Sequence, residues 1–498
     1  MTNAWSKASQ EAGTHQRDLA PRLRTVLINN FWLSVGVSMS MVAGLANNYI
    51  NSRYLGLLVF GQYSLLFSSA AYWGISGSGF GTICMKKVAQ GEATLSEAIS
   101  AGTIFQTAFA LITLSITMSV AVLSLKDSRV VLPALLIGGT GILQAVINVP
   151  VLIYAGKNKM QWQVLHGVLA LSATGLLLLL IKFPLGLFAP VFAWLLPAVV
   201  IALATYTFLL SEVGLQVPRR DVLISVLTQG ALLTIIPITQ IPYYHLDFLM
   251  VTWFSTGREL GILSAAGRVV NMFRNMSWIM VWGVMPTLMA DARREADILS
   301  RSFNRIILWA VLAGALVTLG VMGVSNMVIH ILYPRDFGLA APVLRIFAIS
   351  FVPMLIHWIS LNTLVAADRI KWLSLPYVAM SVGKLAVGFW VVPRFGAEGA
   401  AVVSVAAEAV LAIIFYTWFA RSHQLPFNWR LVWLVVWIGL VYAGVLVFAG
   451  LPTVLRTTFG ILALIAGGFW VGGLHLRDVR SMLAGFRLRP AIDTGERP

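Results

Sequence analysis

The apolar residues of this chain come in blocks of about 20, following one another from residue 26 to residue 474. At about 1.5 Å per residue, a helix of that length crosses the roughly 30 Å hydrocarbon core of a bilayer. Candidate spans lie at 26–50, 57–83, 99–123, 130–154, 162–181, 187–210, 223–245, 260–289, 306–331, 343–366, 373–392, 397–419, 431–448 and 457–474. With 58% hydrophobic and 11% charged residues in 498, a water-soluble core could not hide this much apolar surface. The expected fold class is an all-α polytopic membrane protein with about 14 transmembrane helices. The connections are short, which leaves no room for a soluble domain.

The formal net charge is +16, which in a soluble protein would suggest nucleic acid. The positions of the charges exclude that partner. With the N-terminus inside, the inner segments carry about 23 Lys and Arg and the outer turns about 8, the bias of the positive-inside rule. Both termini are therefore expected in the cytoplasm, with a bacterial inner membrane as the location. Residues 1–20 are polar and do not read as a cleaved leader, so the first span would serve as signal anchor. The tail 477–498 mixes Arg with Leu, Met and Phe; it either lies on the anionic inner leaflet or extends without structure. A single cysteine, Cys84, excludes an internal disulfide and any multi-cysteine metal site.

The chain repeats itself. Arg53-Tyr-Leu-Gly56 and Gly61-Gln-Tyr63-Ser64 at the second span correspond to Arg258-Glu-Leu-Gly261 and Ser264 at the eighth. Ala155-Gly-Lys157-Asn-Lys159 after the fourth corresponds to Ala367-Asp-Arg369-Ile-Lys371 after the tenth. Gly186 and Tyr206-Thr207-Phe208 at the sixth correspond to Gly396 and Tyr416-Thr417-Trp418 at the twelfth. The offsets agree at about 200 to 210 residues, and agreement in order and spacing is what chance matches lack. A six-span unit is even, so both copies enter from the same side, as in transporters with parallel repeats. The expected organisation is a cytoplasmic segment 1–25, an N-lobe 26–212, a C-lobe 213–421, two further spans in 422–476 and a cytoplasmic tail 477–498.

These motifs carry a resemblance. With Phe60-Gly61-Gln-Tyr63, Leu246-Asp247-Phe248, Glu259-Leu-Gly261, Ile331-Leu-Tyr333 with Phe337, and Phe395-Gly396-Ala-Glu-Gly399, the chain resembles the polysaccharide-transporter (O-antigen flippase-like) branch of the multidrug/oligosaccharidyl-lipid/polysaccharide exporter superfamily. The match covers about residues 24 to 420 and departs at Leu263, where the family pattern has Tyr. The resemblance implies a flippase that moves a polyprenyl-diphosphate-linked sugar unit to the outer leaflet. It implies contact with that lipid-linked oligosaccharide and with membrane lipids, and makes polysaccharide polymerase and chain-length machinery candidate partners. It also includes Asp247, implying a periplasmic gate in which Asp247 pairs with Arg258 or Arg53. A multidrug exporter of the same superfamily is the alternative, and the two extra spans argue against it.

Ionisable groups inside a bilayer are costly and therefore candidate functional residues. Arg268 lies near mid-membrane in the eighth span, with Asn271 and Asn275 at i+3 and i+7 on the same face. That stripe either binds the phosphates and hydroxyls of a lipid-linked sugar through the forked guanidinium or bonds a neighbouring helix. Arg274 lies deeper and off the stripe, able to bind or to snorkel. Lys384 and Glu408 fall at equal depth in adjacent spans, suggesting an ion pair that is either a clamp or a protonation switch. His357 and Asn362 are further polar candidates in the second lobe. There is no phosphate-binding glycine loop, paired-histidine zinc motif or nucleophile elbow. No enzymatic activity and no cofactor is expected, and a membrane-embedded polymerase or acyltransferase is the less favoured alternative.

Overall fold

The computed structural model describes residues 2–76, 78–124, 131–157, 159–214, 216–292, 296–366, 372–422, 428–448, 450 and 452–473. Among them all regular structure is helical. The helices are α1 (Thr2–Ser76), α2 (Ser78–Gln90), α3 (Leu95–Ser124), α4 (Val131–Gly156), α5 (Val164–Leu180), α6 (Phe188–Glu212) and α7 (Arg220–Phe254). They continue as α8 (Gly257–Ala292), α9 (Ala296–Leu332), α10 (Ala340–Ala348), α11 (Phe351–Ala366), α12 (Leu375–Ser422), α13 (Trp429–Val447) and α14 (Thr453–Trp470).

Two helices are too long for one crossing, and each breaks at a glycine. Gly56 in α1 has φ 68° and Gly396 in α12 has φ 52°, left-handed values open to glycine at little cost. α12 therefore holds nearly all of the eleventh and twelfth expected spans, while α1 holds the first and most of the second, whose last residues lie in α2. Among the described residues, eight helices are long and apolar enough to cross a membrane by themselves, or nine if α10 and α11, bent by 43°, count as one. The chain is a multi-pass all-α membrane protein.

By packing the chain divides into two compact units. The first comprises Met1–Arg268, Val328–Ala340 and Trp372–Val403; the second comprises Val269–Met327, Ala341–Lys371 and Ser404–Pro498. These units follow packing, whereas the two lobes expected above follow sequence similarity, and the boundaries differ.

In the first unit a core of Phe80, Ile83, Cys84, Ile99, Val149 and Val226 joins α2, α3, α4 and α7. The first half of α12 runs parallel to α7, because Gln240 meets Tyr377, Asp247 meets Lys384 and Met250 lies against Gly388 at one register. In the second unit α14 lies antiparallel to α9: a Cβ built on Gly460 would reach Leu319, and one on Gly468 would reach Leu312. Small residues let membrane helices approach closely where no hydrophobic drive separates protein from lipid.

Candidate functional site: the Arg268 cluster

Close approach of two helices creates the site. Gly61, in the second half of α1, packs against Gly261 of α8 so tightly that a Cβ on Gly61 would lie 2.8 Å from the Gly261 nitrogen. The two segments run parallel from there, and one to two turns further on Arg268 meets Ser64. Its Nε and Nη2 both donate to Ser64 Oγ at 3.2 Å, and its Nη1 donates to Asn48 Oδ1 at 2.8 Å. Three aromatic rings surround the guanidinium: its carbon is 5.3 Å from the Phe60 centroid, 5.1 Å from Tyr63 and 5.6 Å from Phe67. Arg268 is eleven residues from Gly257 at the start of α8, about 17 Å by helical rise.

Among the described residues no carboxylate neutralises this cation. Its hydrogen-bond partners are an amide oxygen and a hydroxyl, which orient the guanidinium without cancelling its charge, and ring faces offset part of the desolvation cost. Of its five N–H groups, three are used. Arg268 is half-buried, so the remaining donors can reach an incoming acceptor. Planar forked N–H groups at low dielectric suit phosphate oxygens. The aromatics are themselves anchored. Phe60 lies edge-on to Tyr333 and Phe337, at 5.9 and 5.5 Å, and the Tyr333 hydroxyl donates to the Ala265 carbonyl at 3.2 Å. One turn from Asn48, the fully buried Asn51 leaves both amide atoms without a partner among the described residues.

The expected stripe is not one cluster. Arg268 turns to Asn48 and Ser64, while Asn271 accepts from Arg274 Nη1 at 3.1 Å. The side chain of Asn275 lies outside the described residues. Sequence reasoning did not single out Asn48, and gave Ser64 no role beyond the repeat. The repeat offset held a usable signal: equivalent helices of two parallel copies often meet, and 61 against 261 is such a meeting.

Lys384 and Glu408, expected to pair with each other, belong to different packing units, and each has another partner within its own. The Lys384 ammonium sits 2.7 Å from Asp247 Oδ1, donates to the Tyr243 carbonyl at 2.8 Å and lies 4.8 Å from the Tyr243 ring centroid. Glu408 instead meets His357 Nδ1 at 2.7 Å, and the imidazole stacks on Phe415 at 5.0 Å. Equal depth does not decide a partner; which helix lies alongside does, and α7 lies along the first half of α12.

Asp247 is likewise not held by Arg53 or Arg258. The span expected to end near residue 245 continues to Phe254, because the apolar run after Asp247 keeps the helix inside the membrane. Asp247 is thus seven residues below the helix end, about 10 Å, and only 7% exposed. Arg53 Nη1 donates to the Leu332 carbonyl at 2.9 Å and to that of Tyr49 at 3.2 Å, satisfying the C-terminal end of α9. Arg258 is exposed. Its neighbour Glu259 accepts from the Ala397 backbone N–H at 2.9 Å, capping the second half of α12 beside Gly396.

The sequence and the fold have counterparts among known proteins. A family model described as polysaccharide biosynthesis protein matches residues 26–290, more than half of the 498. The chain belongs to the polysaccharide biosynthesis protein family. No curated protein sequence matches it. Among solved structures, this family member is similar in fold to the lipid II flippase MurJ in an inward closed conformation, with TM-score 0.65 and 12% identity over 90% of this chain and 99% of that one. It is similar to an inward-facing multidrug resistance MATE family transporter of the MOP superfamily, with TM-score 0.59 and 14% identity over 79% and 98%. A MOP superfamily transporter from Pyrococcus furiosus gives TM-score 0.55 and 14% identity over 80% and 95%. The polysaccharide biosynthesis chain thus has the fold of membrane transporters.

Proposed function

We propose that this protein is a flippase that carries a polyprenyl-diphosphate-linked oligosaccharide across the bacterial inner membrane by alternating access, with both termini in the cytoplasm. The supporting observation is Arg268: a guanidinium well inside the membrane, oriented by Asn48 and Ser64, flanked by three aromatic rings and met by no carboxylate among the described residues. It offers a fixed cation to a diphosphate and ring faces to sugar or isoprenoid. Without an ATP-binding motif, the drive would come from an ion gradient, from membrane potential, or from consumption of the product on the far side.

The buried charges argue against export of cationic drugs. Such a cargo needs an acidic group to receive it, and the two buried membrane carboxylates described above, Asp247 and Glu408, are already engaged by Lys384 and His357. Deleting the protein should make undecaprenyl-linked sugar intermediates accumulate on the cytoplasmic face. Altered drug susceptibility with unchanged lipid intermediates would refute the flippase reading.

A further inference from the structure

A second arginine, in the second unit, repeats the chemistry of Arg268. Arg345, in α10, donates from Nε to Ser325 Oγ at 2.8 Å and from Nη2 to Asn326 Oδ1 at 2.7 Å, both on α9. As at Arg268, one serine hydroxyl and one asparagine carbonyl orient the guanidinium, and no carboxylate meets it among the described residues. Its three remaining N–H groups have no described protein acceptor. Arg345 is half-buried, Ser325 is 1% exposed and Asn326 is exposed, so the cation is held from one side and open on the other.

Depth and surroundings indicate what the open side meets. At 37 residues, α9 is about 55 Å long, more than the roughly 40–45 Å of a whole bilayer with its headgroups. Ser325 is seven residues before its end at Leu332, about 10 Å by helical rise, so the cation lies toward one end of the span rather than at its middle. Next to Ser325 and Asn326 in sequence, and one turn on from Arg345, Val324, Met327 and Ile349 are exposed apolar side chains. A cation bordered by exposed apolar surface at that level fits a ligand that is phosphate at one end and hydrocarbon at the other.

We propose that Arg345, oriented by Ser325 and Asn326, is a second anion site that binds the phosphate of a lipid, separate from Arg268. Two sources share this chemistry: the diphosphate of a carried polyprenyl lipid and the headgroup of a resident anionic phospholipid. The site does not depend on the flippase reading, because either lipid fulfils it.

The test uses the full chain carrying Arg268→Ala, in phosphatidylcholine nanodiscs, so that the first site is silent. One arm titrates farnesyl diphosphate; the other raises the fraction of phosphatidylglycerol. The thermal unfolding midpoint reports binding. At least one arm should raise the midpoint, and adding Arg345→Ala should weaken the apparent affinity about tenfold or more. Arg345→Lys, which keeps the charge but not the fork, should fall between. A response only to farnesyl diphosphate assigns the site to the carried lipid, and a response only to phosphatidylglycerol to a resident one. If adding Arg345→Ala leaves the midpoint shift in both arms unchanged, or neither arm shifts the protein that keeps Arg345, the proposal is wrong. Asn326→Leu provides a second check where Arg345→Ala folds poorly: it removes one orienting contact, and should weaken the same response.

Discussion

Gly61 and Gly261 pack backbone to backbone, 200 positions apart in the sequence, and their contact brings Ser64 to Arg268 one to two turns away. The candidate site therefore depends on two residues that have no side chain. Gly61→Val should lower stability by about 1–3 kcal/mol through overpacking and should reduce transport with it. Gly44→Ala, at a helical position with open space around it, should lower neither, since alanine is the better helix former. Thermal midpoints in detergent, read beside the amount of protein in the membrane, check the contrast.

The Asp247–Lys384 pair is buried, at 7% and 3% exposure. Removing one member leaves the other charged and uncompensated, so Lys384→Met should cost about 3–5 kcal/mol. The double variant Asp247→Leu with Lys384→Met should recover most of that loss. A double-mutant cycle of unfolding free energies gives the coupling; additive losses would mean the two groups do not stabilise one another.

His357 and Glu408 should respond differently. Glu408→Gln keeps a polar partner for the imidazole and should cost about 1 kcal/mol. His357→Leu removes the ring that meets the carboxylate at 2.7 Å and should cost about 2–3 kcal/mol. Equal midpoints for the two variants would show that the imidazole does not stabilise the carboxylate.

Gly396 has φ 52°, and the Glu259 carboxylate caps the helix that follows it. Glu259→Gln should cost about 1 kcal/mol as a weakened cap, and Gly396→Ala about 1 kcal/mol or more from left-handed strain. If Gly396→Ala raises the midpoint instead, the backbone there is not in that conformation.

Much of the architecture was legible because membrane helices announce themselves by length and apolarity, with no tertiary information needed. The breaks at Gly56 and Gly396 fall where short polar or glycine-containing stretches separate two expected spans. The end of α7 was misplaced because His245 and Asp247 look like an exit to water, while in the structure Lys384 supplies the partner that lets Asp247 stay inside. Arg268 stood out as a charge in an apolar span, but Asn48 and Ser64 did not. Their role comes from which helices are neighbours, and a single hydroxyl carries no mark of that in sequence. The aromatic motif residues Phe60, Tyr63, Tyr333 and Phe337 first served as family markers; in the structure they form one cluster beside Arg268.

The central claim is that Arg268 receives the diphosphate of the carried lipid. The direct measurement is translocation of a fluorescent polyprenyl-diphosphate oligosaccharide by the purified protein in liposomes. The intact protein should move it, Arg268→Ala should slow movement at least about tenfold at equal reconstitution, and Arg268→Lys should restore only part. Movement at the full rate by Arg268→Ala would contradict the account.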